Sequence, residues 1–436
     1  MKKVVKSLCI ITATFASLAV STESHAIPAF ARQIGMACNA CHFQSFPALN
    51  SFGRAFKATG YTMIGSQAKI EDEMLSIPAT LNMAVLAATT FTKASGNNTP
   101  TMTTSLFPSD FSLFVAGRVS ENVGALGELG LIAPGPLGSV ANFKLPLSWD
   151  VGAARVSVVP FVTDGQGPSY SFETLNAGAS AIHTVMVDAP VYSAAQYLVT
   201  NTPAHGLGFV ATSDMGYVNF TKWAPTNLSN ANNGGVALAA TYLRLVATPN
   251  LMKDWDTAIG LQVFSGGGNS NVIALGPPAP VQTKAWVLDA QFQGAAAGMP
   301  LGVYASYGVA KANSCDAAGV LAVGTAVNLY NAGCVDNKSF NIGAKLEAIP
   351  HRLMLMIGYR NAKVADTVAF TGSAFNTLKD NGWTLGADYK LAQNVKLRAA
   401  WSQYSGSLYD ANRGDGVTVG LGLPTNMTTL ALEAAF

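Results

Sequence analysis

The second half of the chain alternates apolar and polar residues with a period of two, the pattern of a β-strand with two unlike faces. Trp286, Leu288, Ala290 and Phe292 fall on one face, and Asp289, Gln291 and Gln293 on the other. Phe340, Ile342, Ala344 and Leu346 alternate with Asn341, Lys345 and Glu347. Trp383, Leu385, Ala387, Tyr389 and Leu391 alternate with Thr384, Asp388 and Lys390. Val395, Leu397, Ala399 and Trp401 alternate with Lys396, Arg398 and Ser402. The chain is 49% hydrophobic and only 11% charged, against about 25% charged in ordinary soluble domains. Beyond the N-terminus it nevertheless has no run of about 18 apolar residues, so spanning helices are not expected. A soluble β-rich protein would carry more Lys and Glu on its outer face. The composition therefore points to an all-β transmembrane barrel, apolar toward lipid and polar toward a wet lumen.

Connection lengths support the same architecture. The segments Ala392-Gln393-Asn394 and 349–352 are tight, and 248–254 and 295–300 are fairly short. Between them lie Gly/Asn/Ser-rich stretches at 266–283, 311–339, 363–380 and 405–426. Bacterial barrels place short turns in the periplasm and long loops outside the cell. Upstream candidate strands are 81–92, 111–120, 125–133, 141–149, 153–163, 206–212 and 216–222. Segment 164–204 lacks alternation and contains a helix-compatible stretch at 193–198. We read it as a long loop entering the lumen or covering its mouth, giving about 16 antiparallel strands; as a hairpin it would give about 18. The C-terminal TLALEAAF, with Leu430, Leu432, Ala434 and Phe436 on one face, reads as a closing strand ending in the periplasm.

Residues 1–26 read as a secretory signal peptide: basic Lys2, Lys3 and Lys6, an apolar stretch from Leu8 to Val20, and a Ser24-His25-Ala26 cleavage site. Cys9 and His25 leave with it. The domain plan is then a small segment at 27–76 followed by a barrel at 77–436. A net charge of +2 offers no basis for a nucleic-acid partner.

The small segment carries the chemistry. Cys38-Asn39-Ala40-Cys41-His42 is the only Cys-x-x-Cys-His in the chain. It offers two thiols at the spacing that bonds both haem vinyl groups, and an imidazole placed to ligate the iron. A thioredoxin-type motif would want a βαβ context, and a zinc site a second ligand pair; neither is nearby. We expect one covalent haem c on Cys38 and Cys41, with His42 as the proximal iron ligand. Phe43, Phe46, Leu49, Phe52 and Phe56 recur at helical steps interrupted near Pro47, and Gly60 ends the run. Arg32, Arg54 and Lys57 could meet haem propionates or simply be solvated. About fifty residues cannot enclose a haem, so this α-helical segment should plug or abut the lumen. For the distal ligand Met63 is the first candidate, 21 positions after His42; Met36 sits too close before the first Cys to reach over a porphyrin easily, and Met74, His183 and His205 remain alternatives. Cys315 and Cys334 share one long loop and most simply form a disulfide outside the cell. A metal site there would need Asp316 and Asp336.

The run Phe30-Ala-Arg-Gln33, the Cys38–His42 motif with the residues to Leu49, Phe52-Gly-Arg54, Gly60-Tyr-Thr-Met63 and Met74-Leu-Ser-Ile-Pro78 resembles one known family. It is the fused outer-membrane monohaem cytochrome–porins that act as iron(II) oxidases in iron-oxidising bacteria. The resemblance is specific over about fifty residues and otherwise architectural, with local echoes at Gln196-Tyr197 and Val218-Asn219-Phe220. It implies an N-terminal haem plug in an outer-membrane barrel. It also implies electron flow from extracellular iron(II) to a periplasmic c-type cytochrome or other carrier. Cys38, Cys41 and His42 carry over; no distal ligand does. The alternatives are a conduit for another extracellular donor or acceptor, a solute porin with a structural haem, and a barrel whose motif is unmodified. Asp110, Asp366, Asp380, Asp410 and Asp415 are candidate iron-docking carboxylates, although solvation is their more ordinary role. No hydrolase or transferase constellation stands out.

Overall fold

The computed structural model describes residues 28–73, 75–96, 99–131, 139–178, 193–198, 200, 202–226, 237–270, 279–317, 319, 326–366, 375–392, 394–410 and 423–436. The signal segment, Met74, His183 and Asp415 lie outside the described residues.

The chain closes into a porin-like antiparallel barrel of 16 strands. In order they are β1 (Met83–Gly96), β2 (Thr99–Arg118), β3 (Gly124–Gly130) and β4 (Ser139–Lys144, resumed at Leu147–Val151). Next come β5 (Ala154–Thr163), β6 (Ala204–Ser213), β7 (Gly216–Ala224) and β8 (Ala240–Ala247). They are followed by β9 (Asp256–Ser270), β10 (Ala285–Ala296), β11 (Met299–Ala310) and β12 (Asn337–Ile349). The last four are β13 (Leu353–Ala365), β14 (Thr377–Ala392), β15 (Val395–Ser405) and β16 (Asn426–Ala435). Closure comes from β16 pairing with β1, from Asn426↔Ser95 to Ala435↔Leu86.

The period-two pattern sets which face goes where. On β14 and β15, Trp383, Leu385, Leu397 and Trp401 point outward, while Thr384, Asp388, Arg398 and Ser402 are buried inside. Asp388 takes two hydrogen bonds from Arg398 across that strand pair, at 2.6 and 2.7 Å. Apolar residues outside and ion pairs inside invert the soluble arrangement and suit a wall set in lipid.

Tight connections at 119–123, 152–153, 214–215, 297–298 and 350–352 gather at one end, and longer ones at the other. One connection departs from the expected alternation. Residues 93–96 and 99–110, which lack clear alternation, extend β1 and β2 beyond the rim at the long-loop end. The 20 residues of β2 exceed the roughly 9–11 that cross a bilayer, and residues 101–107 are exposed on both faces. That exposure explains why no apolar face marks them. The expected boundary at 76/77 also shifts, because Lys69–Asp72 pairs with Leu75–Pro78 in a small hairpin and the barrel begins at Met83. Above the rim, Ala279–Gln282 pairs with the end of β9 and, in parallel, with Val327–Asn328. In that loop region Cys315 and Cys334 are disulfide-bonded, their Cα atoms 5.7 Å apart.

Chain enters the lumen from both ends. Segment 164–178 descends from the long-loop end and buries Tyr170, Phe172 and Leu175. Its Glu173 meets the fully buried Arg244 of β8 at 2.9 Å, and Arg244 also pairs with Asp289 of β10. A turn of helix, Ala194–Tyr197, packs on β10, β11 and β12, with Ser306 Oγ accepting from Ala194 N at 2.8 Å. Arg in place of Leu385, which faces outward between Ile357 and Trp401, should cost about 2–4 kcal/mol near the bilayer midplane. Equilibrium unfolding in bilayers measures this; an unchanged stability would contradict the assigned faces.

Candidate functional site

Two short helices, α1 (Pro28–Ile34) and α2 (Ser51–Ala58), carry the N-terminal segment across the lumen at the short-turn end. Its anchors lie around the wall. Arg32 donates to the Met83 carbonyl of β1, and Arg54 pairs with Asp256 of β9. Gln44 Nε2 donates to the carbonyls of Pro300 on β11 and Lys345 on β12, each at 2.8 Å. Lys57 donates to the Glu173 carbonyl at 2.6 Å, so the two lumen fillings touch. Burial lowers the Lys57 ammonium to about 8, partly offset by the Glu173 charge.

Cys38–Ala40 forms a 3₁₀ turn, and the Cys38 carbonyl accepts from Cys41 N at 3.1 Å and His42 N at 2.8 Å. Two thiols and an imidazole are thereby presented from a single turn of backbone. Cys38 and Cys41 are both thiols rather than a disulfide, and burial pushes the Cys41 thiol up. The chain then folds back: His42 bridges Leu49, Phe43 N donates to the Ala48 carbonyl at 2.8 Å, and Gln44 takes φ 64°. The expected single helical face from Phe43 to Phe56 is therefore replaced by a tight loop and a helix confined to Ser51–Ala58. Phe46 stands edge-on to His42, 5.3 Å between centroids, while Phe56 joins Ile34 and Tyr61 in a separate cluster with Phe30.

The His42 ring is buried, and Nδ1 lies 3.2 Å from the Ala48 carbonyl. Donation from Nδ1–H leaves the lone pair on Nε2, the arrangement in which a second partner orients a metal-binding imidazole. Burial lowers His42 to about 4; the Ala48 and Pro47 carbonyls oppose that shift, and the Lys390 charge adds to it. The donor set, two thiols and a neutral imidazole with Nδ1 engaged, fits a covalent haem c.

The other expected residues scatter. Met63 packs on Ile34, Phe56 and Tyr61, and its carbonyl accepts from Gln33 Nε2 at 2.6 Å. Met36 is exposed. His205 sits at the long-loop end of β6, its Nδ1 3.1 Å from the Thr226 carbonyl, the opposite end of the barrel from His42. Among the candidate docking carboxylates, Asp380 is buried between Arg360, Tyr197 and Tyr409. Asp366 is buried, Asp110 lies within β2, and Asp410 is exposed. Asp336 pairs with Lys311. No group of three His, Cys, Asp or Glu placed to hold a metal ion occurs among the described residues.

Three residues that hold the motif were not singled out as site residues from sequence. Asn50 caps α2, its Oδ1 accepting from Gly53 N at 2.9 Å, while its Nδ2 donates to the Ala40 carbonyl at 2.9 Å. An Asn ahead of a helical run was the available signal. Gly53 lets α2 approach the motif, since a Cβ there would lie 2.1 Å from the Cys41 carbonyl oxygen. Gln33, fully buried, donates to the Tyr61 and Met63 carbonyls and accepts from Arg118 N of β2. Only long-range contacts reveal it.

No family model matches the chain, and no curated protein does. Solved structures similar to it include OmpT of Vibrio cholerae, at 10% identity and TM-score 0.47 over 85% of this chain and 100% of that one. Salmonella typhi OmpF in complex with daunomycin matches at 10% and 0.48 over 85% and 100%. OprD of Pseudomonas aeruginosa matches at 13% and 0.44 over 87% and 97%. The likeness extends to barrel architecture and no further.

Asn50→Ala should destabilise the segment by about 1 kcal/mol through loss of the cap, read by denaturant unfolding of the plug; no change would remove Asn50 from this role. In haem-free protein (Cys38→Ser with Cys41→Ser), His42 should titrate near 4 by NMR. Its folded value lies below the ordinary 6.5. The folded chain therefore binds fewer protons, and stability falls as pH drops from 6.5 through 4. A midpoint near 6.5 would mean that water reaches the ring.

Proposed function

We propose that the protein is an outer-membrane cytochrome–porin that oxidises extracellular iron(II) and passes the electron to a periplasmic carrier. One observation carries the reading: the Cys38–His42 turn, with Nδ1 of His42 on the Ala48 carbonyl, lies inside the barrel and is tied to its wall. Haem c, when bound, supplies a one-electron iron couple. Cys38 and Cys41 would hold it by thioethers, and His42 would present Nε2 to its iron. The Ala48 carbonyl keeps that tautomer, and Phe46 with the surrounding wall limits water. From its place in the sequence, Met63 would be the first candidate for a second iron ligand, which would require its side chain to leave the Ile34–Phe56–Tyr61 cluster.

Iron(III) is nearly insoluble near neutral pH, so oxidation is best completed outside the cell. A barrel that carries the electron inward while excluding iron meets that need. Two segments that enter the lumen from opposite ends and meet at Lys57 and Glu173, with Glu173 tied through Arg244 to Asp289, favour a conduit over a pore. The second reading, a solute porin whose haem is structural, draws on the 16-strand porin-like barrel, a size that elsewhere leaves an aqueous channel.

The test is a redox titration of the purified protein with iron(II), paired with single-channel conductance. The proposal expects the haem to be reduced by iron(II) and conductance to be low, and expects Cys38→Ser with Cys41→Ser to carry no covalent haem. A covalent haem that iron(II) cannot reduce would overturn the iron reading. An open, conducting lumen would favour the porin.

A further inference from the structure

The cations that the N-terminal segment could offer to haem carboxylates are engaged elsewhere. Arg32 is on the Met83 carbonyl, Arg54 on Asp256, and Lys57 on the Glu173 carbonyl. A different cation reaches the motif from the barrel wall. Lys390 projects from the short-turn end of β14 into the lumen, where its Nζ lies 3.5 Å from the Gln44 carbonyl. Gln44 is two residues from His42, and the Lys390 charge helps hold the His42 ring neutral. The charged side chains that act on Lys390 are Glu347 of β12, Asp388 of its own strand β14, and Lys396 of β15. The carboxylates among them have nearer partners. Glu347 accepts from His351 N, Asp388 is gripped by Arg398, and Glu433 of β16 draws Lys396. Lys390 therefore retains donors for an anion, at a place where the only hydrogen bond of its Nζ among the described residues is a long one.

We propose that Lys390 is the positioning residue for the carboxylate edge of the haem, so that the barrel wall, rather than the haem segment, holds the propionates and sets the potential. This rests on the covalent-haem reading above. A positive charge near the iron favours the ferrous form, which carries one positive charge fewer, and the partly dry lumen screens it weakly. The wall contact also gives the plug a reason to sit in one register: Gln44 of the loop reaches β11 and β12, and Lys390 of β14 reaches back to Gln44.

The experiment is a spectroscopic midpoint-potential measurement on full-length protein carrying Lys390→Gln or Lys390→Met, beside Lys390→Arg and the exposed turn control Lys253→Gln. Haem staining and heat-modifiable migration confirm attachment and barrel assembly in each. The expected result is at least a tenfold shift toward the ferric form for the neutral variants, about 59 mV lower for a one-electron couple. Lys390→Arg should stay close to wild type, and Lys253→Gln should not move. Equal potentials in Lys390→Gln, Lys390→Met and Lys253→Gln, with haem attached, would overturn this inference alone. Absence of covalent haem from the wild-type protein would overturn it together with the functional reading.

Discussion

The enclosed lumen is the constraint on which the rest of the structure depends. Sixteen strands enclose more space than the wall's own side chains fill, and that space must hold either water or chain. Among the described residues, two stretches of chain enter it. The N-terminal segment enters at the short-turn end and 164–178 at the other, meeting where Lys57 donates to the Glu173 carbonyl. Each filling brings polar backbone into a space where unpaired groups are costly. The wall answers with side-chain and backbone partners: Arg244 between Glu173 and Asp289, the Arg118 N–H on Gln33, and the Pro300 and Lys345 carbonyls on Gln44. The polar inner face of the strands thus specifies where the plug sits.

That arrangement also explains how a segment of a few dozen residues could present a haem site. Alone it has two helices of seven and eight residues and a folded-back loop, too little to bury a large apolar group. Within the barrel its second layer comes from outside itself. The motif turn is braced by Asn50 and Gly53 from α2, its loop by β11 and β12, and its edge is faced by Lys390 of β14. Chemistry and enclosure come from different parts of the chain.

Much of the barrel was legible because its wall has unlike faces. Trp383 to Leu391 and Val395 to Ser402 alternate, and the structure buries their polar members while leaving their apolar ones outside. The same rule fails for 101–107, where both faces meet solvent and nothing marks a strand. Cys38, Cys41 and His42 were legible as a local spacing. The loop after them was not, because Phe43, Phe46 and Leu49 fit a helical period while Gln44 is held by Pro300 and Lys345, distant in sequence. Gln33 and Lys390 were hidden for the same reason: their roles exist only once the plug meets the wall.

The most direct measurement of the central claim is peptide mass mapping of the protein extracted from outer membranes. Trypsin should release the segment between Arg32 and Arg54 as one peptide, residues 33–54. With a covalent haem in the barrel, this peptide carries one haem, and neither Cys38 nor Cys41 is open to alkylation. The same peptide recovered without haem, both thiols alkylated, would contradict it and leave a plugged barrel without a redox centre.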